Sequence, residues 1–257
     1  MLEIGCGAGS STLVHAKEVR RLVATDVSRG MVERARGRTA RRSFADRTRF
    51  ALVDAGDLPF QDASFDAVIG RGVALSYVRD PRQTLREIRR VLGPGGHVVI
   101  DAMNEGSSSS SGRGFRAVQS IGGKPACVDQ SNQGRFQVRR VFYLRPKARL
   151  ARLARGSKVF KSRPRDLPRQ TLRVEQMHAR HFPQRTLRRL AKDAGLSTVE
   201  IVPLGQMYLL LMSENKELRG FVARNRRTLS RLALELRTHF RASRGFHLML
   251  IATKPRV

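Results

Sequence analysis

The chain of 257 residues carries 50 lysines and arginines against 21 aspartates and glutamates, a formal net charge of +29, and 40% of it is hydrophobic. That apolar content suffices for one large folded core with an elaboration. A membrane-spanning helix needs a run of about 18 apolar residues, and no apolar run in this sequence is that long. The 2 cysteines lack a C-x-x-C or histidine cluster, so the sequence predicts no metal site.

The positive charge has two interpretations, and the sequence leaves both open. A polyanionic partner such as nucleic acid would select for it. An arginine-rich composition would also produce it, because ordinary helical stretches such as 82–92 are arginine-rich too. No secretory signal is evident, so the reducing cytoplasm is the expected location. No particular oligomeric state is predicted.

The first hundred residues alternate short apolar runs with amphipathic stretches, which is typical of β-α units that form a parallel sheet. Apolar residues at three- and four-residue spacing predict a helix over 84–92, ended by a Gly-Pro-Gly-Gly turn. The strands predicted in this part are 2–4, 22–25, 50–53, 67–70 and 97–102.

The alternation stops after Met103, where 106–114 reads GSSSSSGRG and has nothing apolar to bury. We divide the chain into a cofactor-binding half (1–104), a basic insertion (105–176) that forms a lid over the acceptor pocket, and the rest of the first domain (177–257). Within the last two parts the sequence predicts a strand at 137–144, a basic surface segment at 145–173, helices at 186–194 and 214–240, and strands at 199–202 and 247–252.

The segment LEIGCGAGS places Gly5, Gly7 and Gly9 between an apolar strand and a helical stretch. A tight strand-to-helix turn needs residues that adopt unusual φ angles and leave room for a ligand against the backbone. The spacing is G-x-G-x-G and departs from the G-x-G-x-x-G typical of nicotinamide dinucleotide sites, which argues against a nicotinamide oxidoreductase.

Two acids follow strands at the expected positions. Asp26 ends the second predicted strand, where a carboxylate can accept hydrogen bonds from both hydroxyls of a ribose. Asp54 follows the third strand in VDAGDLPF, at the edge where open α/β sheets bind ligands. A carboxylate there can accept a hydrogen bond from the exocyclic amine of adenine.

Four ordered motifs, LEIGCGAGS, ATDVS, VDAGDLPFQDASFDAVIGRGVALSYVRDP and LREIRRVLGPGGHVVI, resemble class I methyltransferases, specifically the quinone-biosynthesis-like family (methyltransferase type 11). The resemblance covers 2–102 closely, and 180–204 and 247–255 more loosely. It implies an α/β, Rossmann-like, mostly parallel sheet of about seven strands with helices on both faces and an insertion after the fifth strand. It also implies S-adenosyl-L-methionine as cofactor and methyl transfer as the reaction.

Carried over residue by residue, the resemblance assigns cofactor contacts to the glycine loop, to the ends of the second and third strands and to the segment after the fourth. Glu3 would lie beside the loop, the glycines would enclose the methionine and ribose portions, Asp26 would bind the ribose, and Arg71 with Gly72 would sit beside the sulfonium. The complete set implied is Glu3, Gly5, Cys6, Gly7, Gly9, Asp26, Val27, Asp54, Ala55, Arg71 and Gly72.

The chain departs from this family at its start, because Met1 stands only four residues before Gly5. Such domains ordinarily have a helix and a fuller first strand there, and strands typically have about five or six residues. We therefore expect the domain to be truncated at its N-terminus.

Methyl transfer is an in-line displacement, so positioning of the acceptor can supply most of the acceleration without a protein nucleophile. Where a general base is useful, His181 in ARHFPQ is a candidate, with a structural histidine as the alternative. Asp101, at the end of the fifth strand, is a base or a cap. The favoured function is methylation of a small or lipid-like molecule. The alternatives are an RNA methyltransferase that uses the basic insertion and a non-catalytic cofactor-binding protein.

Overall fold

The computed structural model describes residues 1–105, 115–121, 124–133, 136–145, 151–152, 158–160, 167–204 and 247–256. The chain divides into two compact units, one of Met1–Ser107 with Phe182–Val257 and one of Ser108–His181. The low-complexity segment, most of the basic segment at 145–173 and the helix predicted at 214–240 lie outside the described residues. The division of the chain at 105 and 176 stays a prediction.

The first unit is built on a sheet whose strands are β1 (Leu2–Ile4), β2 (Leu22–Asp26), β3 (Thr48–Leu52), β4 (Phe65–Gly70), β5 (Leu92–Asn104), β11 (Ser197–Leu204) and β12 (His247–Thr253). Their order is β3-β2-β1-β4-β5-β12-β11. The first five run parallel, and β12 pairs antiparallel with both β5 and β11. The predicted Rossmann-like, mostly parallel sheet is confirmed.

Helices cover both faces of this sheet, as predicted. They are α1 (Thr12–Glu18), α2 (Arg29–Thr39), α3 (Ala74–Tyr77), α4 (Pro81–Val91) and α6 (Gln184–Asp193), with a 3-10 turn at Ala45–Arg47. On one face Ile88 of α4 and Leu187 of α6 join Ile100 of β5 in the main apolar core. On the other, Ala35 of α2 packs against Ala24 of β2. Successive residues of a strand point to opposite faces of the sheet, so they contribute to two separate apolar cores.

The second unit contains an antiparallel sheet. Its elements are β6 (Phe115–Ile121), β7 (Lys124–Gln133), β8 (Phe136–Leu144), β9 (Lys158–Phe160), the short helix α5 (Leu167–Gln170) and β10 (Thr171–Phe182). The strand order is β10-β8-β7-β6-β9. The strand predicted at 137–144 is confirmed as β8.

Helix α4 begins earlier than its apolar spacing predicts, at Pro81 instead of Thr84. Asp80 caps it by accepting hydrogen bonds from the backbone N–H groups of Arg82 and Gln83, and proline is favoured at the first helical position. The predicted glycine turn after it belongs to β5, which already pairs with β4 at Leu92.

Arg90 joins α4 to the loop that follows Asp54. Its guanidinium donates to the carbonyls of Leu58 and Phe60, both at 2.7 Å, and forms a two-point pair with Glu87 at 2.7 and 2.9 Å. This pair lowers the pKa of Glu87. The Glu87 carboxylate also accepts a hydrogen bond from the Leu58 N–H at 2.9 Å. The Arg90–Glu87 pair therefore binds both the N–H and the carbonyl of Leu58 and so holds the loop on α4.

We expect Arg90→Lys to lower the free energy of unfolding by about 1–3 kcal/mol, because an ammonium cannot reproduce the planar set of donors. Urea denaturation followed by circular dichroism measures it. Arg86→Lys on the same helix is the control, since Arg86 is exposed and, among the described residues, donates a long hydrogen bond of 3.4 Å to Gln83 Oε1. Equal stabilities of the two variants would contradict this role for Arg90.

Candidate active site at the carboxyl edge of the sheet

The residues assigned from the sequence lie where the parallel strands end. The glycine loop follows β1, Asp26 closes β2, Asp54 stands two residues after β3, and Arg71 follows β4 directly. In open α/β sheets the carboxyl edge is where ligands bind. The topology therefore gathers these groups on one edge of the first unit.

The glycine loop is pressed against helix α2. Gly7 and Gly9 both have left-handed backbones, with φ of 53° and 82°. A Cβ on Gly9 would lie 2.9 Å from the Cβ of Ala35 and 3.0 Å from its Cα, whereas a Cβ on Gly7 would meet nothing within 4 Å. Gly9 is thus required for packing, and the open side of Gly7 leaves room for a ligand.

The carboxylate of Asp26 is fixed by two backbone donors. Its Oδ2 accepts a hydrogen bond from the Gly7 N–H at 2.8 Å, and its Oδ1 accepts one from the Ser28 N–H at 2.9 Å. Each carboxylate oxygen can accept a further hydrogen bond. Asp26 is therefore oriented by the glycine loop and still able to accept from two neighbouring hydroxyls.

Glu3 is fully buried beneath the start of α1. Its carboxylate accepts hydrogen bonds from Ser11 Oγ at 2.5 Å and Thr12 Oγ1 at 2.6 Å, and His15 Nδ1 lies 3.4 Å away. These contacts join β1 to the first turn of the helix that follows the glycine loop. Glu3 therefore anchors the segment that follows the glycine loop, and its assignment as a residue beside the cofactor stays a prediction.

The ends of β2 and β3 form an open rim. The Val27 side chain is 73% exposed although it is apolar. The exposed Asp54 accepts a hydrogen bond from the Gly56 N–H at 2.9 Å, and the Val53 N–H donates to the Asp26 carbonyl at 3.0 Å. An apolar side chain beside an oriented carboxylate suits a flat heteroaromatic ring that carries an amine.

Asp101 is buried and holds the segment after β4. Its carboxylate accepts hydrogen bonds from the N–H groups of Val73 at 2.6 Å and Gly72 at 3.3 Å, and Arg71 Nε lies 3.9 Å away. Val73 has a left-handed φ of 60°, which is unfavourable for a β-branched residue. The carboxylate thus stabilises a strained loop, which favours the cap over the base among the two predicted roles of Asp101.

His181 lies on β10 in the second unit and is buried, at 3% exposed. It follows no parallel strand of the first sheet. Its assignment as a base stays a prediction.

The structure brings to this edge a residue that the sequence did not single out. His247 opens β12, and its charged neighbours include Asp101 and Arg71. Burial lowers the pKa of His247, Asp101 opposes that change and Arg71 adds to it. The only sequence signal was a histidine at the first position of a predicted final strand, which periodicity alone does not distinguish from an ordinary strand residue.

The Cys6 thiol stays neutral. Burial raises its pKa to about 12, and the nearby carboxylates of Asp26 and Glu3 add to the effect. A thiol is nucleophilic only as its thiolate. Cys6 is therefore a packing residue of the loop, and a covalent role for it is unsupported.

The order of this sheet and its ligand edge are those of a Rossmann-like fold. Residues 2–100 match the sequence model of a family described as "Methyltransferase domain".

Two relatives and one solved structure illustrate the similarity. A demethylmenaquinone methyltransferase of Clavibacter sepedonicus is 44% identical over 100 residues, which are 39% of each chain. A 27-O-demethylrifamycin SV methyltransferase of Amycolatopsis mediterranei is 36% identical over 102 residues, which are 39% of this chain and 37% of the relative. The matched segment thus spans about two fifths of each relative. An S-adenosylmethionine-dependent methyltransferase of Clostridium acetobutylicum shares the fold, with a TM-score of 0.63, 13% identity, and coverage of 99% of this chain and 83% of that one.

We expect Gly9→Ala to destabilise the protein more than Gly7→Ala. Both variants force alanine into a left-handed backbone, which costs about 1–2 kcal/mol. Only Gly9→Ala also pushes a methyl group into the backbone of α2, which adds about 1–3 kcal/mol. Urea denaturation of the two variants measures the difference, and equal losses would show that the loop does not press on Ala35.

We expect Cys6 to resist thiol reagents in the folded protein. At pH 8 a group with a pKa of about 12 is about one part in ten thousand thiolate. Labelling by a chromogenic disulfide is measured on a Cys127→Ser variant, so that Cys6 alone reports. The expected result is slow labelling that becomes rapid in denaturant, and rapid labelling of the folded protein would contradict it.

Proposed function

We propose that this protein is an S-adenosyl-L-methionine-dependent methyltransferase that acts on a small or lipid-like molecule. The observation that carries the proposal is the joined pair of glycine loop and Asp26, held by the 2.8 Å hydrogen bond from the Gly7 N–H. The pair presents backbone and carboxylate to a nucleoside at the edge where the sheet binds ligands.

The residues of this edge fit that cofactor part by part. Asp26 is oriented to accept from the ribose hydroxyls, Val27 offers an apolar surface to the adenine, and Asp54 with the backbone of Ala55 can pair with the adenine edge. Arg71 and Gly72 directly follow β4. They would lie beside the sulfonium that carries the methyl group. The bound cofactor supplies an activated methyl group on a cationic sulfur.

The acceptor class rests on the relatives. Their names specify a demethylated quinone and a demethylated rifamycin, both of which are organic molecules and neither of which is a polymer. The net charge of +29 alone does not select a polymer as the acceptor.

The protein's own contribution to catalysis is mainly positioning. A rigid loop held by Asp26, and a second loop held by Asp101, fix the two sides of the site. Preorganised geometry of this kind can replace about 7–11 kcal/mol of the barrier to a bimolecular reaction. No nucleophilic side chain is needed for the displacement.

We expect Asp26→Ala to weaken binding of S-adenosyl-L-methionine by about 5- to 150-fold, because hydrogen bonds to a charged group contribute about 1–3 kcal/mol. Isothermal titration calorimetry of the full chain measures it.

Asp46→Ala is the control for this prediction, because Asp46 is exposed on the 3-10 turn outside the ligand edge. Unchanged affinity in Asp26→Ala would show that the ribose assignment is wrong. Loss of affinity in both variants to the same extent would show that the effect is one of net charge.

A further inference from the structure

The N-terminal part of β10 is exposed without interruption. Residues 172–178 are all exposed, and because successive strand residues point to opposite faces, both faces are uncovered here. The stretch carries three large apolar side chains, Leu172 at 66%, Val174 at 52% and Met177 at 37% exposed. Antiparallel sheets commonly bury one of their two faces. Grouped apolar side chains that stay exposed mark a surface on which another molecule binds.

One backbone edge of this stretch is also open. On one side β10 pairs antiparallel with β8, and its other neighbour in the strand order is β5. β5 is paired with β4 through Ile100 and with β12 through Met103, so its last residues alone can reach β10. The Phe182 carbonyl accepts a hydrogen bond from the Glu105 N–H at 3.1 Å, which places that neighbourhood at the end of β10. Among the described residues, no strand therefore lies beside the second edge of 172–178.

An open strand edge presents unpaired N–H and carbonyl groups, which are a template for pairing with another strand. Lysine and proline usually protect such edges, and residues 173–178, RVEQMH, contain neither. A shift in register between Thr171 and Arg173 marks an irregularity at the start of the stretch, after which the pairing with β8 is regular through Arg180. The segment that begins at Arg173 is therefore suited to accept a further strand.

The charge of this segment indicates what kind of chain pairs with it. Residues 173–178 carry one arginine and one glutamate, so the segment is neutral in a chain of net charge +29. The two side chains lie on the same face of the strand, with Arg173 Nη2 2.9 Å from Glu175 Oε1. A polyanion or an acidic peptide would find no excess of positive charge in it. A segment with one charge of each sign can instead pair with a copy of itself.

Electrostatics selects one register for such a pair. In an antiparallel pair related by a two-fold axis, the residue on the axis stands opposite its own copy. With Val174 on the axis, Arg173 stands opposite the partner's Glu175, and Glu175 stands opposite the partner's Arg173. With Arg173 or Glu175 on the axis, like charges would stand directly opposite, which is destabilising. The register centred on Val174 therefore forms two ion pairs and brings the two valine side chains together.

We propose that this protein forms a symmetric dimer in which β10 pairs antiparallel with β10 of a second copy, with the two-fold axis at Val174. The pairing supplies interchain backbone hydrogen bonds to the open edge. Tyr143 orients the charged residues before the copies meet. Its hydroxyl donates to Glu175 Oε2 at 3.1 Å, and the Arg173 guanidinium lies 4.4 Å from the centre of its ring. Because both side chains are already held, little side-chain entropy is lost on pairing.

The interface is small, because it consists of one short strand from each copy. Stable protein interfaces bury about 1,200–2,000 Å², and smaller ones are transient. We therefore expect a dimer that depends on concentration, with a dissociation constant of about 1–100 µM. No cofactor or methyl acceptor takes part in the pairing, so this inference does not rest on the proposed function.

Disulfide cross-linking of the full-length protein tests the register. Directly opposed residues have Cβ atoms about 4.5–5.5 Å apart, which suits a disulfide after a small adjustment. In Val174→Cys, copper phenanthroline in air should oxidise the two thiols of a dimer to a disulfide, seen as a band of doubled mass on a non-reducing gel. Gln176→Cys is the matched control, since its two copies would stand about 13 Å apart along the strands. The native Cys6 and Cys127 are buried, so the parent chain should not cross-link.

Reversal of the charges tests the ion pairs between the copies. Sedimentation velocity of nuclease-treated protein measures the dissociation constant, and circular dichroism verifies that each variant is folded. Arg173→Glu alone and Glu175→Arg alone should each weaken the dimer by about 10-fold or more, because like charges then face each other twice. An equimolar mixture of the two variants should regain association, since each supplies the charge that the other lacks. Contacts within one chain cannot produce that rescue.

Arg34→Glu is the control for net charge, because Arg34 is exposed on α2 in the first unit and the substitution makes the same change of charge. It should leave the dissociation constant unchanged. Protein that stays monomeric up to about 100 µM overturns the inference. So does a dimer that cross-links equally through residues 174 and 176, or one that the charge reversals leave intact. Calorimetric binding of S-adenosyl-L-methionine is measured separately, so the failure of either proposal leaves the other standing.

Discussion

The hydrogen bond from the Gly7 N–H to the Asp26 carboxylate is the contact on which the site depends. It is possible because β1 and β2 pair in parallel with Ile4 opposite Thr25, which brings the residues that follow them side by side. The Cys6 N–H extends the pairing by donating to the Thr25 carbonyl at 2.9 Å. A shift of one residue in this register would turn the carboxylate to the other face. The strand pairing therefore fixes the ligand edge before any ligand arrives.

A buried carboxylate organises the other half of the site. Asp101 is only 2% exposed, and removing a charge from water is costly unless hydrogen bonds and an opposite charge compensate. Gly72, Val73 and Arg71 provide both. In return, the carboxylate holds Val73 in a left-handed backbone that the chain would otherwise leave. The N–H groups of the loop thus compensate the buried carboxylate, and the carboxylate in turn holds the loop in its strained conformation. Mutual support of this kind is typical of a preorganised site.

Local patterns predicted much of the first unit. Apolar runs gave the strands, and the glycine loop and Asp26 could be found because their spacing follows from one β-α-β turn. The start of α4 was missed because apolar spacing was weighted above the Asp80-Pro81 cap, which the sequence does contain. His247 beside Asp101 could not be found, since their proximity depends on the antiparallel register of strands far apart in the chain. Long-range pairing of this kind leaves no local signature.

The charges around His247 act in opposite directions on its pKa. Burial lowers the pKa, Arg71 adds to that change, and Asp101 opposes it. The N–H groups of Gly72 and Val73 hold the Asp101 carboxylate in place. The conformation of the loop after β4 and the balance of charge at this end of the sheet therefore depend on the same carboxylate. The geometry of the loop and the electrostatics of the edge thus cannot vary independently.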